Sequence, residues 1–255
     1  MTKNIFSIKN KVVIITGGGR GIGYELAKGL AENLAIVYSL DKKFSKKIPK
    51  KMSGNLIEKR CDITDIKQIK RVFKEIFTKE KKIDVLINNA GISLASQKKN
   101  ELYSDSNWIQ TINVNLTASF YCSKEAVKYM LKKKNGSIIN MTSINAELGF
   151  PRNPAYNASK GGLKMLGKAF AKDWSRFGIR VNNIGPGYIK TDMTAKRFTN
   201  KKFRLERQNQ TLLGRWGEPY DLIGPCIFLA SDASQYMTGQ DLYIDGGWII
   251  NSGLS

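Results

Sequence analysis

The sequence contains no histidine and only three cysteines among its 255 residues. Without histidine, the chain cannot build Ser-His-Asp or Cys-His nucleophiles or a histidine-ligated metal site. Cys61, Cys122 and Cys226 lie too far apart in the sequence for a zinc pattern or a disulfide framework. We therefore expect no metal and a reducing, cytoplasmic compartment. Acid–base chemistry must use tyrosine, lysine, aspartate or glutamate.

Long apolar runs are also missing. No run approaches the roughly 20 residues that a helix needs to cross a bilayer, and residues 1–9 lack the apolar core of a signal peptide. We therefore expect no membrane association. The hydrophobic content of 42% and aromatic content of 10% are typical of a folded globular chain. We expect a single domain over residues 1–255.

Acidic residues are few compared with basic ones, 21 against 42, which gives a net charge of +21. Such a charge can indicate nucleic-acid binding. However, the lysines are spread over the chain, with only short clusters at residues 42–51 and 132–134, and no nucleic-acid-binding motif accompanies them. A solvated basic surface that attracts small anions is the better interpretation, and we expect no nucleic-acid partner.

A short β-branched run at residues 11–16 leads directly into a glycine-rich turn and then a helical pattern from residue 24 to 32. Strand, glycine turn and helix N-terminus together form the unit that cradles phosphates in dinucleotide-binding folds. Gly17 suits the tight turn, Gly21 a close approach of pyrophosphate and Gly23 close helix packing. The candidate cofactor contacts in this turn are Gly17, Gly19, Arg20, Gly21, Ile22 and Gly23.

A second predicted strand, residues 34–40, ends at Asp41. An acidic residue about 20 positions after the glycine turn can accept hydrogen bonds from the adenosine ribose, which favours NAD. Lys42 and Arg20 leave NADP possible. After a predicted loop at residues 46–55, a third strand ends at Asp62, which, with Ile63, is placed to meet the adenine.

The remaining chain alternates between strand and helix patterns. Thr64 is expected to cap a helix that ends near residue 79. Further strands are predicted at residues 83–87, 136–142, 179–184 and 241–245, and further helices at residues 107–133, 154–177 and 219–229. This alternation predicts an α/β fold, a Rossmann-type doubly wound parallel sheet with helices on both faces. A polar, basic helical insertion at about residues 191–214 is expected to cover substrate.

Tyr156 and Lys160 are four residues apart in the helix that Pro154 begins and Gly178 ends. This spacing places both side chains on one helix face. A free phenol titrates near pH ~10, and a nearby ammonium lowers its pKa. Lowering it to about 7 requires roughly 4 kcal/mol of differential interaction. A tyrosine tuned in this way is a general acid or base for neutral pH.

Together these features resemble the single-domain short-chain dehydrogenase/reductase family over nearly the whole chain. The matching parts, in order and spacing, are Thr16-Gly-x-x-x-Gly-x-Gly23, Asp62, Asn88-Asn-Ala-Gly91, Asn115, Ser143, Tyr156-x-x-x-Lys160, Pro186-Gly187 and Thr191. One such motif is weak, but this many in register are specific.

The resemblance implies an NAD(P)-dependent enzyme in which Tyr156 exchanges the proton and Ser143 orients the reacting oxygen. Lys160 would lower the phenol pKa and hold the nicotinamide ribose. Asn115 would support a proton relay, with Asn113 as a competing candidate. The other implied cofactor contacts are Asn89, Ala90, Gly91, Pro186, Gly187, Ile189 and Thr191. Family members commonly form tetramers by pairing the helices that correspond to residues 107–133 and 154–177. The resemblance therefore implies a homotetramer, with a dimer as the alternative.

Finer details, including residues 147–149 and 215–219, resemble the sugar-acid and polyol dehydrogenases of the family, such as the gluconate 5-dehydrogenases. The expected reaction is therefore the reversible oxidation of a secondary alcohol on a sugar acid or polyol. The candidate substrate contacts are Ser143, Glu147, Arg152 and Tyr156. Two alternatives remain: a 3-oxoacyl-carrier-protein reductase, and a catalytically silent dinucleotide-binding sensor.

Overall fold

The computed structural model of the protein describes residues 4–44, 55–95 and 103–251. One seven-stranded parallel sheet runs through these ranges. Its strands are β1 (Val12–Thr16), β2 (Ile36–Asp41), β3 (Leu56–Arg60), β4 (Val85–Asn88), β5 (Gly136–Met141), β6 (Ile179–Pro186) and β7 (Asp241–Ile244). The α-helices are α1 (Gly21–Glu32), α2 (Ile66–Glu80), α3 (Asp105–Ile112), α4 (Ala118–Lys133), α5 (Pro154–Trp174), α6 (Ala195–Thr199), α7 (Lys201–Asn209) and α8 (Ile223–Ala230).

The strand order is β3-β2-β1-β4-β5-β6-β7. The chain moves outward from β1 to β3, returns to the middle of the sheet, and moves outward again from β4 to β7. The direction therefore reverses between β1 and β4, and a crevice forms beyond the carboxyl ends of these strands. Ligands of doubly wound sheets bind at this position. The predicted Rossmann-type fold is confirmed.

Apolar side chains cover both faces of the sheet. On one face, Val12 and Ile14 of β1 belong to a cluster with Phe73 of α2 and Met130 of α4. On the other face, alternate residues of the same strand pack with α1 and α8. A strand buried on both sides has no polar face, which explains the continuous apolar runs in the sequence. Each fully buried large side chain contributes about 1.5–3 kcal/mol.

Several predicted boundaries differ from the observed ones. The prediction that Thr64 caps α2 is wrong: Asp65 is the cap, and its carboxylate accepts the amides of Lys67 and Gln68. Both residue types can cap a helix, so the sequence leaves a one-residue ambiguity. Strand β2 begins at Ile36 because Leu34 adopts a left-handed turn with φ of 66°. The predicted loop at residues 46–55 lies outside the described residues apart from its last position.

The helix predicted at residues 107–133 is divided into three parts. Helix α3 leads into a π-helical turn, Asn113–Thr117, and α4 follows without a break in direction. Such turns occur frequently at functional sites, and this one holds Asn115. Two short helices, α6 and α7, occupy the predicted insertion at residues 191–214. Among the described residues, no helix is both long and apolar enough to span a membrane.

A buried row of polar side chains crosses the carboxyl half of the sheet. Asn88, Asn140, Asn183 and Asp241 are register partners on the adjacent strands β4 to β7. Each amide nitrogen of the first three donates to the next side-chain oxygen, over 2.9, 3.0 and 2.7 Å. Buried polar groups are costly unless they are paired. This ladder therefore fixes the register of the strands that carry the site.

Candidate active site

The glycine turn between β1 and α1 packs tightly against the segment that follows β4. Gly17 has φ of 68°, and a Cβ there would lie 2.7 Å from the Cα of Ala90. A Cβ on Gly23 would lie 2.2 Å from the carbonyl oxygen of Gly17. These positions therefore require glycine, one for its backbone conformation and both for space. The tight packing leaves the amino end of α1 pointing into the crevice.

Thr16 and Asn89 connect the two sides of this crevice. The Thr16 hydroxyl accepts the amides of Asn89 and Ala90, each at 3.1 Å. The side-chain amide of Asn89 donates back to the carbonyls of Thr16 and Gly17, over 2.9 and 3.1 Å. The motifs at residues 16–23 and 88–91 are thus one hydrogen-bonded unit. Their shared role could not be predicted from either motif alone.

The space in front of α1 fits the phosphates of a dinucleotide. Gly21 has φ of 55°, and a Cβ there would meet only the Cβ of Thr191, at 3.9 Å. A cleft of about 310 Å³ opens here, and its lining includes Gly21, Lys190 and Thr191. No side chain caps the amino end of α1. A helix terminus with free amides is a ready site for an anion.

The predicted adenosine side of the crevice carries two carboxylates in different settings. Asp41 accepts the amide of Gly19 at 2.9 Å, which places it at the glycine turn. Asp62 pairs with the ammonium of Lys42 at 2.8 Å. Burial opposes ionisation of Asp62, but hydrogen bonds from Lys42 and Thr64 outweigh it and hold its pKa below the usual range. Ile63, beside it, is buried.

The side chain of Lys160 is buried beside the ring of Tyr156. Its ammonium donates to the main-chain carbonyl of Met141 at 2.7 Å and lies 5.6 Å from the centre of the Tyr156 ring. Only 4% of Lys160 is exposed, and burial lowers its pKa to about 8. Gly91 approaches closely, since a Cβ there would lie 3.5 Å from the lysine nitrogen. Tyr156, Met141 and Gly91 therefore surround the Lys160 ammonium, and these buried surroundings are called the chamber below.

Asn115 forms the wall of the same chamber. Its side chain accepts the amide of Ile92 at 2.8 Å and donates to the carbonyl of Ile92 at 3.0 Å. It also donates to the Ser159 hydroxyl at 3.1 Å. Asn115 is fully buried, whereas Asn113 is exposed. The structure thus distinguishes the two candidates that the sequence left open.

Ser143 and Tyr156 complete the group. Ser143 is 7% exposed, and its hydroxyl donates to the Asn145 side chain at 3.1 Å. Asn145 donates in turn to Asn157 at 2.6 Å, which ties the serine to the tyrosine helix. Burial raises the pKa of Tyr156 above its ordinary value, although a hydrogen bond with Ser143 and the charge of Arg197 oppose the change. Sequence reasoning missed both asparagines, because asparagine has no fixed role at such positions.

The two remaining substrate candidates stand apart from this group. The Glu147 carboxylate accepts the Tyr243 hydroxyl at 2.6 Å and is paired with Lys164. Arg152 is exposed and has φ of 64°. Contact of either residue with substrate stays a prediction.

The segment after β6 lies across the opening of the crevice. A Cβ on Gly187 would lie 2.8 Å from the Cα of Asp245, so the chain passes close to β7 there. Ile189 is buried and bridges to Gly217. The amide of Thr191 donates to the Thr194 hydroxyl at 2.9 Å, which fixes the turn into α6. Pro186, at the end of β6, directs the chain into this segment.

An aromatic wall supports the helices α6 and α7. Ring centres are 5.2 Å apart for Tyr188 and Trp216, 6.1 Å for Tyr188 and Phe203, and 5.7 Å for Tyr188 and Trp248. The Trp216 indole donates to the carbonyl of Arg204 at 3.1 Å. Basic side chains pack against these rings, and the guanidinium carbon of Arg207 lies 5.6 Å from the centre of the Tyr188 ring. The insertion is therefore a packed structure and not a loose loop.

Comparison with known proteins agrees with this geometry. A sequence model of a family described as Enoyl-(Acyl carrier protein) reductase matches residues 17–249. The chain belongs to the short-chain dehydrogenase/reductase family. As a member of this family, it is an NAD(P)-dependent oxidoreductase.

Relatives of this short-chain dehydrogenase/reductase match it over almost its whole length. A 2-dehydro-3-deoxy-D-gluconate 5-dehydrogenase from Bacillus subtilis is 37% identical, with 96% of each chain covered. A 3-oxoacyl-(acyl-carrier-protein) reductase from Chlamydia pneumoniae is 36% identical, with 94% of this chain and 98% of the other covered. A gluconate 5-dehydrogenase from Burkholderia cenocepacia, solved with NADP and tartrate, has a TM-score of 0.88 at 32% identity, covering 96% and 97% of the chains.

Proposed function

We propose that this protein reversibly oxidises a secondary alcohol on a sugar acid or polyol, in one domain spanning residues 1–255. The observation that carries the proposal is the convergence of Tyr156, Ser143 and Lys160 beside the cofactor crevice. A silent dinucleotide sensor would not need this group. The named activities of the Bacillus and Burkholderia relatives support the sugar-acid class.

Tyr156 is the proposed proton-exchanging residue. Its raised pKa keeps the phenol protonated at neutral pH, so it can donate its proton to a carbonyl oxygen. In the reverse direction the phenolate takes the proton of the alcohol. Ser143 lies close enough to Tyr156 to form a hydrogen bond with it. Its proposed role is to hydrogen-bond and orient the reacting oxygen of the substrate, as an oxyanion donor does. A nicotinamide cofactor, when bound, would supply or accept the hydride.

Lys160 and Asn115 are proposed to support this proton transfer. An ammonium with a pKa of about 8 is mostly charged at pH 7, so it favours the phenolate of Tyr156. Asn115 holds the main chain at Ile92 through two hydrogen bonds. It therefore fixes the segment beside Lys160 along which the proton relay is proposed to run.

The proposed cofactor site combines the crevice residues. The amino end of α1, from Arg20 to Gly23, would hold the pyrophosphate, and Thr191 would hold the carboxamide. Asp41 and Asp62, with Ile63, would meet the adenosine. We propose that NAD is preferred, because Asp41 would repel the 2′-phosphate of NADP. The Burkholderia neighbour was solved with NADP, so this preference needs a direct test.

The lid segment at residues 191–214 is proposed to cover a small substrate. A 3-oxoacyl-carrier-protein reductase is the second candidate, because the Chlamydia relative is nearly as similar as the sugar-acid enzyme. Asp41 argues against it, since reductases of that kind generally use NADPH and lack an acid at this position.

Replacing Tyr156 with phenylalanine is the first test. The variant removes the phenolic proton and keeps the ring packing, so we expect activity to fall by at least ~10²-fold while cofactor binding persists. Steady-state kinetics with keto-sugar acids and cofactor titration measure the two effects. Tyr236→Phe, which removes an exposed phenol elsewhere, is the control. Near-native turnover by Tyr156→Phe would falsify the proposed acid.

The cofactor preference is tested by comparing kcat/KM for NADH and NADPH with one substrate. We expect NADH to be favoured by at least ~10-fold, and Asp41→Ser to narrow this ratio because it removes the like charge. Asp105→Asn, at an exposed position on α3, controls for the general change in charge. A higher kcat/KM with NADPH in the unmodified protein contradicts the proposal. Turnover of an acetoacetyl thioester alone, with NADPH, would favour the second candidate.

We also propose a homotetramer, because large apolar side chains lie exposed on the helices that family members pair. A cytoplasmic location is proposed because the three cysteines form no disulfide framework in the sequence. Ile109 of α3 and Met165 of α5 are 65% and 61% exposed, and Trp108 lies beside them at 42%. Burial of such a patch between copies removes it from water. Light scattering at micromolar concentration should give four times the chain mass. A monomer mass, or recovery of the protein outside the cytoplasm, would count against these proposals.

A further inference from the structure

The lid helices carry three arginines. Arg197 lies on α6, and Arg204 and Arg207 lie on α7. Within residues 4–44, 55–95 and 103–251, none of the three forms an ion pair with a carboxylate. Arg215, nearby, shows the alternative, since its guanidinium binds Asp221 through two nitrogens at 2.7 and 2.9 Å. The lid therefore has positive charge available for a ligand.

Two of these guanidinium groups stand around one aromatic pair. The guanidinium carbons of Arg197 and Arg207 lie 5.9 and 4.9 Å from the centre of the Phe203 ring. Arg207 also lies 5.6 Å from the Tyr188 ring. Its Nη1 donates to Gln210 at 2.5 Å, while its Nε is buried without a hydrogen-bond partner. Arg207 is thus anchored, and Arg197 is the exposed member of the pair.

This aromatic pair connects the arginines to the catalytic group. Tyr188 packs on Trp248, and Trp248 packs on Phe150 with ring centres 5.5 Å apart. The carbonyl of Phe150 accepts the side chain of Asn157, the residue after Tyr156. The charge of Arg197 opposes the rise in pKa at both Tyr156 and Tyr188. The charge of Arg197 therefore favours ionisation of the catalytic tyrosine, although the arginine side chain is exposed.

We propose that Arg197 is the residue that selects anionic substrates, by binding a substrate carboxylate while the reacting carbon lies at Tyr156 and Ser143. This inference rests on the proposed function. Arginine suits the role because its planar fork can donate two parallel hydrogen bonds to a carboxylate. Arg207 adds a second, fixed positive charge behind it. Arg152, the arginine that the sequence favoured, has neither this aromatic support nor an effect on Tyr156.

The test compares an acid with a neutral substrate of the same length, 5-keto-gluconate and fructose, in Arg197→Ala. Loss of a charged hydrogen bond lowers kcat/KM by about 10- to 100-fold. We expect kcat/KM for the keto-acid to fall by this factor, and this factor should be at least ten times that for fructose. Arg197→Lys should recover part of it, because lysine restores the charge without the fork. Lys196→Ala is the matched control, as it removes an exposed charge from the same helix and should affect both substrates equally.

A second readout separates binding from a general structural role. Removing the Arg197 charge should raise the kinetic pKa of alcohol oxidation, because the phenolate of Tyr156 loses a nearby cation. Equal losses for acid and neutral substrate, or a selective loss in Arg152→Ala instead, would overturn the assignment to Arg197 and leave the proposed function standing. Absence of turnover with any keto-acid or ketose, in an unmodified protein that binds cofactor, would overturn both.

Discussion

The exclusion of water around Lys160 is the constraint on which the site depends. The ammonium of Lys160 donates a hydrogen bond to the carbonyl of Met141 at 2.7 Å, and burial lowers the pKa of this lysine. The close approach of Gly91 and the engaged side chain of Asn115 close the chamber from the other side. A group in such a space responds strongly to each nearby charge, because little solvent screens it. The ionisation of Tyr156, whose ring centre lies 5.6 Å from the lysine nitrogen, is therefore also sensitive to nearby charges.

The local parts of the site could be predicted from the sequence, and the contacts between distant parts could not. Helical spacing alone placed Tyr156 and Lys160 on one face, and the glycine turn was readable because strand and helix patterns flank it. Glu147 shows the limit. A lone carboxylate does not reveal its partners, and here they are Lys164 and Tyr243, which lie 17 and 96 positions further along the chain.

The sheet and the lid make separate contributions to the proposed chemistry. The polar ladder from Asn88 to Asp241 fixes the register of four strands, so Ser143 and the glycine turn meet at one edge. The lid contributes positive charge, through arginines that lie against aromatic rings. Two of the many basic residues in the sequence, Arg197 and Arg207, thus have defined positions against the rings of the lid.

We infer that burial holds the pKa of Tyr156 above its ordinary value in the free protein, and that the positive ring of a bound oxidised cofactor would lower it. Carbon-13 NMR of ring-labelled tyrosine measures this pKa directly, with Tyr156→Phe to assign the signal. We expect the pKa of Tyr156 to lie above the ordinary tyrosine value in the free protein, because burial outweighs the opposing contacts. We expect this pKa to fall when NAD⁺ binds, because a positive ring nearby favours the phenolate. A pKa at or below 10 in the free protein, or no change on binding, would contradict this inference.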